Sequence, residues 1–189
     1  MKIYDVIILT DKRYVNPKEV DAYTKNVLTE DGFVKKALDK LGLTDLSYEF
    51  FDGKDDKLPD FSQLSAIKTG TLDSLDVKKA SDQADGYRLR FTGKLEVPIA
   101  GDYLFTTMID DGGELLIDGI SVVLNEGDPG YGEERGVINL TKGTHDFVQT
   151  YYQEVWGATL VVDYEGPGII KQSLASEAPF HAWKQNQIP

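Results

Sequence analysis

Asp118-Gly119 stands between two apolar runs, Leu115–Ile117 and Ile120–Leu124. An Asp-Gly pair flanked by strand-forming residues is the strongest short hairpin signal a sequence offers, and it limits the fold more than any other feature of this chain. The same pattern continues on both sides. Tyr87–Leu95 alternates Tyr87, Leu89 and Phe91 against Arg88, Arg90 and Thr92, the period of a half-buried strand. A turn at Pro98–Asp102 leads to Tyr103–Ile109. Val137–Leu140, a turn at Lys142-Gly143, His145–Tyr152 and Thr159–Tyr164 follow. Short strands at regular spacing predict an all-β antiparallel sandwich. Upstream, LSYEFFDG from Leu46 adds an aromatic strand. Lys54–Ser65, Thr69–Gly86, the glycine-rich Asn125–Gly136 and everything after Glu165 read as loop, polar or irregular segments.

The first 43 residues have another character. IYDVIILT (residues 3–10) reads as a buried strand. Asn16-Pro17 reads as a helix N-cap followed by the proline allowed at the first helical position. Apolar residues at helical spacing then run to Leu41, where Gly42 ends the period. The expected division is a strand–helix appendage over 1–43 and a sandwich over 44–189. The run LTDKRYVNPKEVDAYTKNVLTEDGFVKKALDKLGL resembles the first β–α unit of ATP-grasp enzymes. No phosphate-binding loop, lysines or magnesium carboxylates follow it, so no ATP chemistry is carried over.

Composition excludes several functions. The chain of 189 residues carries a net charge of −12. That argues against nucleic acid, which needs Lys and Arg to displace counterions, and against anionic membranes. It is compatible with divalent cations and equally with simple solubility. There is no cysteine, hence no disulfide, thiolate metal site or thiol nucleophile. A disulfide-free extracellular domain is ordinary in bacteria. No run is long enough to span a bilayer, and the start carries no cleavage-site pattern. The expected context is an extracellular or cell-surface segment of a longer, multidomain secreted protein. His145 and His181 lie outside metal-ligand spacing, and no pair of carboxylates stands out as an acid and base. An enzyme is not expected.

The candidate site is in GDYLFTTMIDDGGELLIDG (Gly101–Gly119). Two adjacent acids, Asp110 and Asp111, sit between an apolar run and Gly112-Gly113. They suit a hard cation, or else only Asx-turn chemistry. Neighbouring residues of a regular strand point to opposite faces, so the two can share an ion only across a bulge or a cis peptide.

The ordered set LSYEFFDG, LPDFS, YRLRFTGKLEVPIAGDYLFT, DDGGELLIDG, GVINLTKGTHDFVQTYYQ and VDYEGPG resembles the PA14 domain, from about Leu46 to about Phe180. The resemblance implies a β-sandwich and, in lectin-like members, a Ca²⁺ held by the cis-linked aspartates of the DDG turn. The ion then coordinates sugar hydroxyls. Carried over to this chain, the metal residues are Asp110, Asp111, Gln153, Val155 and Gly157. The carbohydrate residues are Asp110, Asp111, Glu154, Trp156 and Tyr131. Ca²⁺ takes six to eight oxygens, which two carboxylates, an amide oxygen and loop carbonyls go far to supply. Glu154 can replace Gln153 if the loop shifts by one residue. Trp156 can pack a sugar face or anchor the sandwich edge. Tyr131 and Glu133 either border the site or face solvent, and His145 is expected to be structural. The implied function is a Ca²⁺-dependent carbohydrate-binding module. The rival is a non-binding accessory domain flanking a glycoside hydrolase or an adhesin region.

Overall fold

The computed structural model describes residues 41–55, 57–126, 132–155 and 157–174. The expected strand and helix of residues 1–40, the ATP-grasp likeness and the chain after 174 lie outside the described residues. Among the described residues ten strands form two antiparallel sheets: β1 Gly42–Asp52, β2 Lys68–Thr71, β3 Tyr87–Val97, β4 Gly101–Asp110, β5 Gly113–Ile117, β6 Ile120–Asn125, β7 Gly132–Leu140, β8 Gly143–Gln153, β9 Thr159–Gly166 and β10 Ile169–Ser173. One sheet has the order β2-β1-β3-β8-β5-β6, the other β10-β9-β4-β7. The expected sandwich is observed.

Alternation places the core. Tyr87, Leu89, Phe91 and Leu95 of β3, with Leu115, Ile117, Phe147 and Tyr151, face Tyr103, Phe105, Ile109, Val162 and Tyr164 of the other sheet, all buried. Full burial of a large apolar side chain contributes roughly 1.5–3 kcal/mol, so this layer dominates the stability. Arg88 and Arg90 take the opposite face of β3, as predicted. Arg90 Nε donates to Glu49 Oε2 at 2.5 Å across the β1–β3 pair. Arg88 binds Asp55 and donates to the Asp52 carbonyl at 2.5 Å, fastening the loop after β1.

The hairpin at Asp118-Gly119 forms as read. Both residues have positive φ, 51° and 75°, which Asp tolerates and Gly favours. Four boundaries differ from the sequence reading. β1 begins at Gly42, ahead of the aromatic strand read from Leu46, and Leu41 is buried with its N–H donated to the Tyr164 hydroxyl at 2.9 Å. The polar stretch 69–86 contains part of β2 and one helical turn, α1 (Val77–Ala80), capped by Asp76. Gly132–Gly136 is strand, not loop. The tail contains β10. β2, the start of β7 and β10 all lie on sheet edges, where side chains are exposed and often charged. An edge strand buries little, so it lacks the alternation that reveals a central one.

One end of the sandwich gathers the segments that matter. There β4 of one sheet passes to β5 of the other through Asp110–Gly113. Beside it, β8 passes back to β9 through residues 154–158. Two crossings between the same sheets therefore run side by side.

Candidate functional site

The first crossing leaves β4 at Asp110, which pairs with Thr159 of β9. The Asp110–Asp111 peptide is cis. Gly112 then bridges to Tyr152, with Asp111 N–H donating to the Tyr152 carbonyl at 3.3 Å and Tyr152 N–H to the Gly112 carbonyl at 2.9 Å. The glycine pair is needed for close approach. A Cβ on Gly112 would meet the Tyr152 ring at 2.5 Å, and one on Gly113 would meet the Thr150 carbonyl oxygen at 2.1 Å. Neither glycine has positive φ. Their role is to let β5 lie against β8.

The second crossing touches the first through its polar atoms. Glu154 N–H donates to Asp111 Oδ2 at 2.6 Å. A Cβ on Gly157, whose φ is 29°, would lie 3.4 Å from Asp110 Oδ2, so backbone passes directly by that carboxylate. The Tyr151 hydroxyl lies 2.7 Å from the Asp110 carbonyl and 2.5 Å from Gln153 Oε1, linking the two segments from beneath. Gln153 is 1% exposed and its carbonyl accepts from Gly86 N–H at 2.9 Å. An amide oxygen has two lone pairs, so the Tyr151 bond alone does not exhaust Gln153 Oε1 as a ligand.

Electrostatically the aspartate pair has no cationic side chain paired with it among the described residues. Asp111 is 8% exposed. Burial, and after it the charge of Asp111, raises Asp110 above the ordinary carboxylate range. Among the described residues no Lys, Arg or His forms an ion pair with either acid. Nor is there a group of three or more acidic or histidine side chains that holds a metal by itself. A cation bound here would have to rely on two carboxylates and neutral oxygens, the mixture that suits calcium.

The structure thus brings together Asp110, Asp111, Gln153, Glu154 and Gly157. Val155 lies in the same crossing, half-buried. Trp156 and Tyr131 lie outside the described residues. Glu133 is engaged elsewhere, with Arg135 and with Lys171 Nζ at 3.9 Å. Glu154 contributes its backbone N–H to the pair, a role its side-chain chemistry does not advertise. Tyr151 was not anticipated as a site residue. The available signal was its place two residues before Gln153, hence on the same strand face. His145 is structural, as expected. Its Nδ1 lies 2.7 Å from Asp118 Oδ2 and its Nε2 2.9 Å from the Thr141 carbonyl.

A double-sheet sandwich with an Asp-Asp turn where two crossings meet defines a recognisable class of β-domain. The PA14 domain model matches residues 46–178, and the chain belongs to that family. No curated protein sequence matches the chain. Among solved structures, an anti-sigma factor domain-containing protein is similar at 24% identity and TM-score 0.56, covering 72% of this chain and 46% of that one. This chain thus spans about half the length of that relative. The PA14 sugar-binding domain from an RTX adhesin matches at 19% identity and TM-score 0.54, covering 68% of this chain and 93% of that one. The A domain of epithelial adhesin 9 from Candida glabrata, solved in complex with Galb1-4GlcNAc, matches at 8% identity and TM-score 0.52, with 74% and 93% covered. At these identities the likeness concerns the fold.

Proposed function

We propose that this domain binds carbohydrate through a Ca²⁺ held at the Asp110–Asp111 turn, as one module of a larger secreted or cell-surface protein. The observation that carries the reading is the meeting of a buried and a half-buried carboxylate, without a counter-charge among the described residues, with the 153–157 crossing at one end of the sandwich. Asp110 and Asp111 would supply the charged ligands. Gln153 Oε1 and carbonyls of Val155 and Gly157 would supply neutral ones, the oxygen set calcium takes. Sugar hydroxyls would replace water in the remaining positions. The sugar-binding adhesin domain and the adhesin solved with a galactose-containing disaccharide support this reading as similar folds with glycan ligands.

The test is calorimetric titration of monosaccharides into the chain in calcium and again in chelator. Binding confined to the calcium arm is the expected result. Sugar binding that persists in chelator, or is missing from both arms, would sink the reading; the second outcome would favour an accessory role.

A further inference from the structure

The far end of the smaller sheet, where β4 begins, carries a second concave surface. From Asp102 to Asp110 the strand rises about 3.3 Å per residue, roughly 25 Å in all, so this surface lies well away from the aspartate turn. A groove of about 430 Å³ is lined there by Leu104, Val137, Pro167 and Ile169 and by two acids, Asp102 and Glu165. Strand register explains the arrangement. Leu104 pairs with Val137 on one side and with Glu165 on the other, so the three share a face, and Asp102 stands on that face two residues before Leu104. Tyr103 and Phe105 fill the core, which makes this the outer face. Val137 is 65% exposed on it.

The charges of this face are unevenly matched. Nearer the aspartate turn, Arg135 pairs with Glu133, and Lys171 Nζ lies 3.6 Å from Asp163 and 3.9 Å from Glu133. Those pairs occupy both cations. Among the described residues neither Asp102 nor Glu165 forms an ion pair; Asp102 Oδ1 accepts from the neutral Asn139 Nδ2 at 2.7 Å. An aliphatic floor with an acidic rim suits a ligand that is apolar in the middle and cationic beside it. We propose that this groove docks an extended segment of a partner protein, in which a branched aliphatic side chain is flanked by Lys or Arg. The aliphatic side chain covers Leu104 and Val137, and the cations meet Asp102 and Glu165. Side chains on one face of an extended chain recur about every 7 Å, the spacing of Asp102 from Leu104, so residues i and i+2 of the segment match rim and floor. Burial of the aliphatic group supplies affinity, and the charges select partner and register. The same acids repel a second copy of this face and an anionic lipid surface.

Backbone-amide NMR tests this by titrating the chain with a synthetic peptide of pattern SKSVSKS, blocked at both ends. The controls are SKSSSKS, which keeps the charge, and SESVSES, which keeps the aliphatic group. Two variants accompany the wild type: Val137→Ser, and the double variant Asp102→Asn with Glu165→Gln. Asp102 and Val137 are exposed and Glu165 is half-buried, and an amide oxygen at position 102 still accepts from Asn139, so folding is retained. SKSVSKS should shift Asp102, Leu104, Val137, Glu165 and Ile169 in one saturating transition, leaving Asp111 and Glu154 in place. It should bind about fivefold tighter than either control, and each variant should weaken it about fivefold. Equal binding of SKSSSKS would mean charge alone and overturns the docking surface. So does an affinity unchanged in either variant, or the lack of saturating shifts at these residues. Shifts of the same residues on raising protein concentration without peptide would mark self-association and overturn it as well.

Discussion

Strand β5 is five residues long, and an aspartate turn stands at each end of it. At the hairpin end, each carboxylate oxygen of Asp118 has an internal partner. Its Oδ2 meets His145 Nδ1 at 2.7 Å and its Oδ1 accepts Asp146 N–H at 2.8 Å. These bonds, His145 first, hold Asp118 below the ordinary carboxylate range. At the crossover end, burial and a like charge push Asp110 the other way. The same residue type in the same kind of local sequence therefore serves opposite ends. Where the chain supplies the counter-charge, the acid is structural. Where the described residues supply none and add a second acid, the proposed calcium would be the counter-charge.

Charge-neutral substitution should separate the two ends most strongly. Asp111→Asn keeps an oxygen for the Glu154 N–H but removes the charge, and should weaken calcium by about 100-fold or more, since a coordinating carboxylate has no substitute nearby. In the wild type, calcium at about 100 times its Kd should add about 2.7 kcal/mol of stability. For a domain of this size that is a rise in Tm of roughly 5–10 °C, and Asp111→Asn should erase it. Asp118→Asn should lower Tm while leaving the calcium response intact. Equal responses of the two variants in a melting experiment would erase the contrast.

A smaller effect is expected beneath the site. Tyr151→Phe removes the hydroxyl that joins the Asp110 carbonyl to Gln153. One such hydrogen bond is worth about 1 kcal/mol, so calcium affinity should fall about fivefold, measured by calorimetry. An unchanged affinity would make Tyr151 a core residue only.

The hairpin end makes the smallest prediction, and it concerns pH. Burial alone would lower His145, but Asp118, the Thr141 carbonyl and Glu96 outweigh it and raise it above its ordinary value. A raised histidine stabilises the fold fully below its unfolded value of about 6.5, and that contribution is lost as pH rises through the higher folded value. Melting between mildly acidic and mildly alkaline pH in chelator should show this loss, under about 1 kcal/mol for so exposed a partner as Asp118. His145→Gln should flatten it. A stability that instead rises through that window in the wild type would contradict the pairing.

Much of this was legible before the structure. Tyr87–Leu95 announced its buried face because it lies between two neighbouring strands, and Asp118-Gly119 fixed a hairpin through the positive φ the turn requires. The edge strands β2 and β10 and the charged start of β7 were not legible, because nothing selects an apolar face where one side of a strand meets water. At the site, the acids declared themselves by type and adjacency. Tyr151 did not, since a tyrosine in an aromatic strand reads as core until its hydroxyl is placed. Nor did the order of the 78–85 segment, which comes from Asp76 and Ser81 bonding to backbone and Gln83 bonding to the end of β1.

Calcium titration followed by backbone-amide NMR weighs both ends of β5 in one sample. The account predicts a single saturating transition that shifts Asp111, Gly112, Glu154 and Gly157 and leaves Asp118, His145 and Asp146 in place. Shifts spread over the acidic surface without saturation, or centred on Asp118, would contradict it.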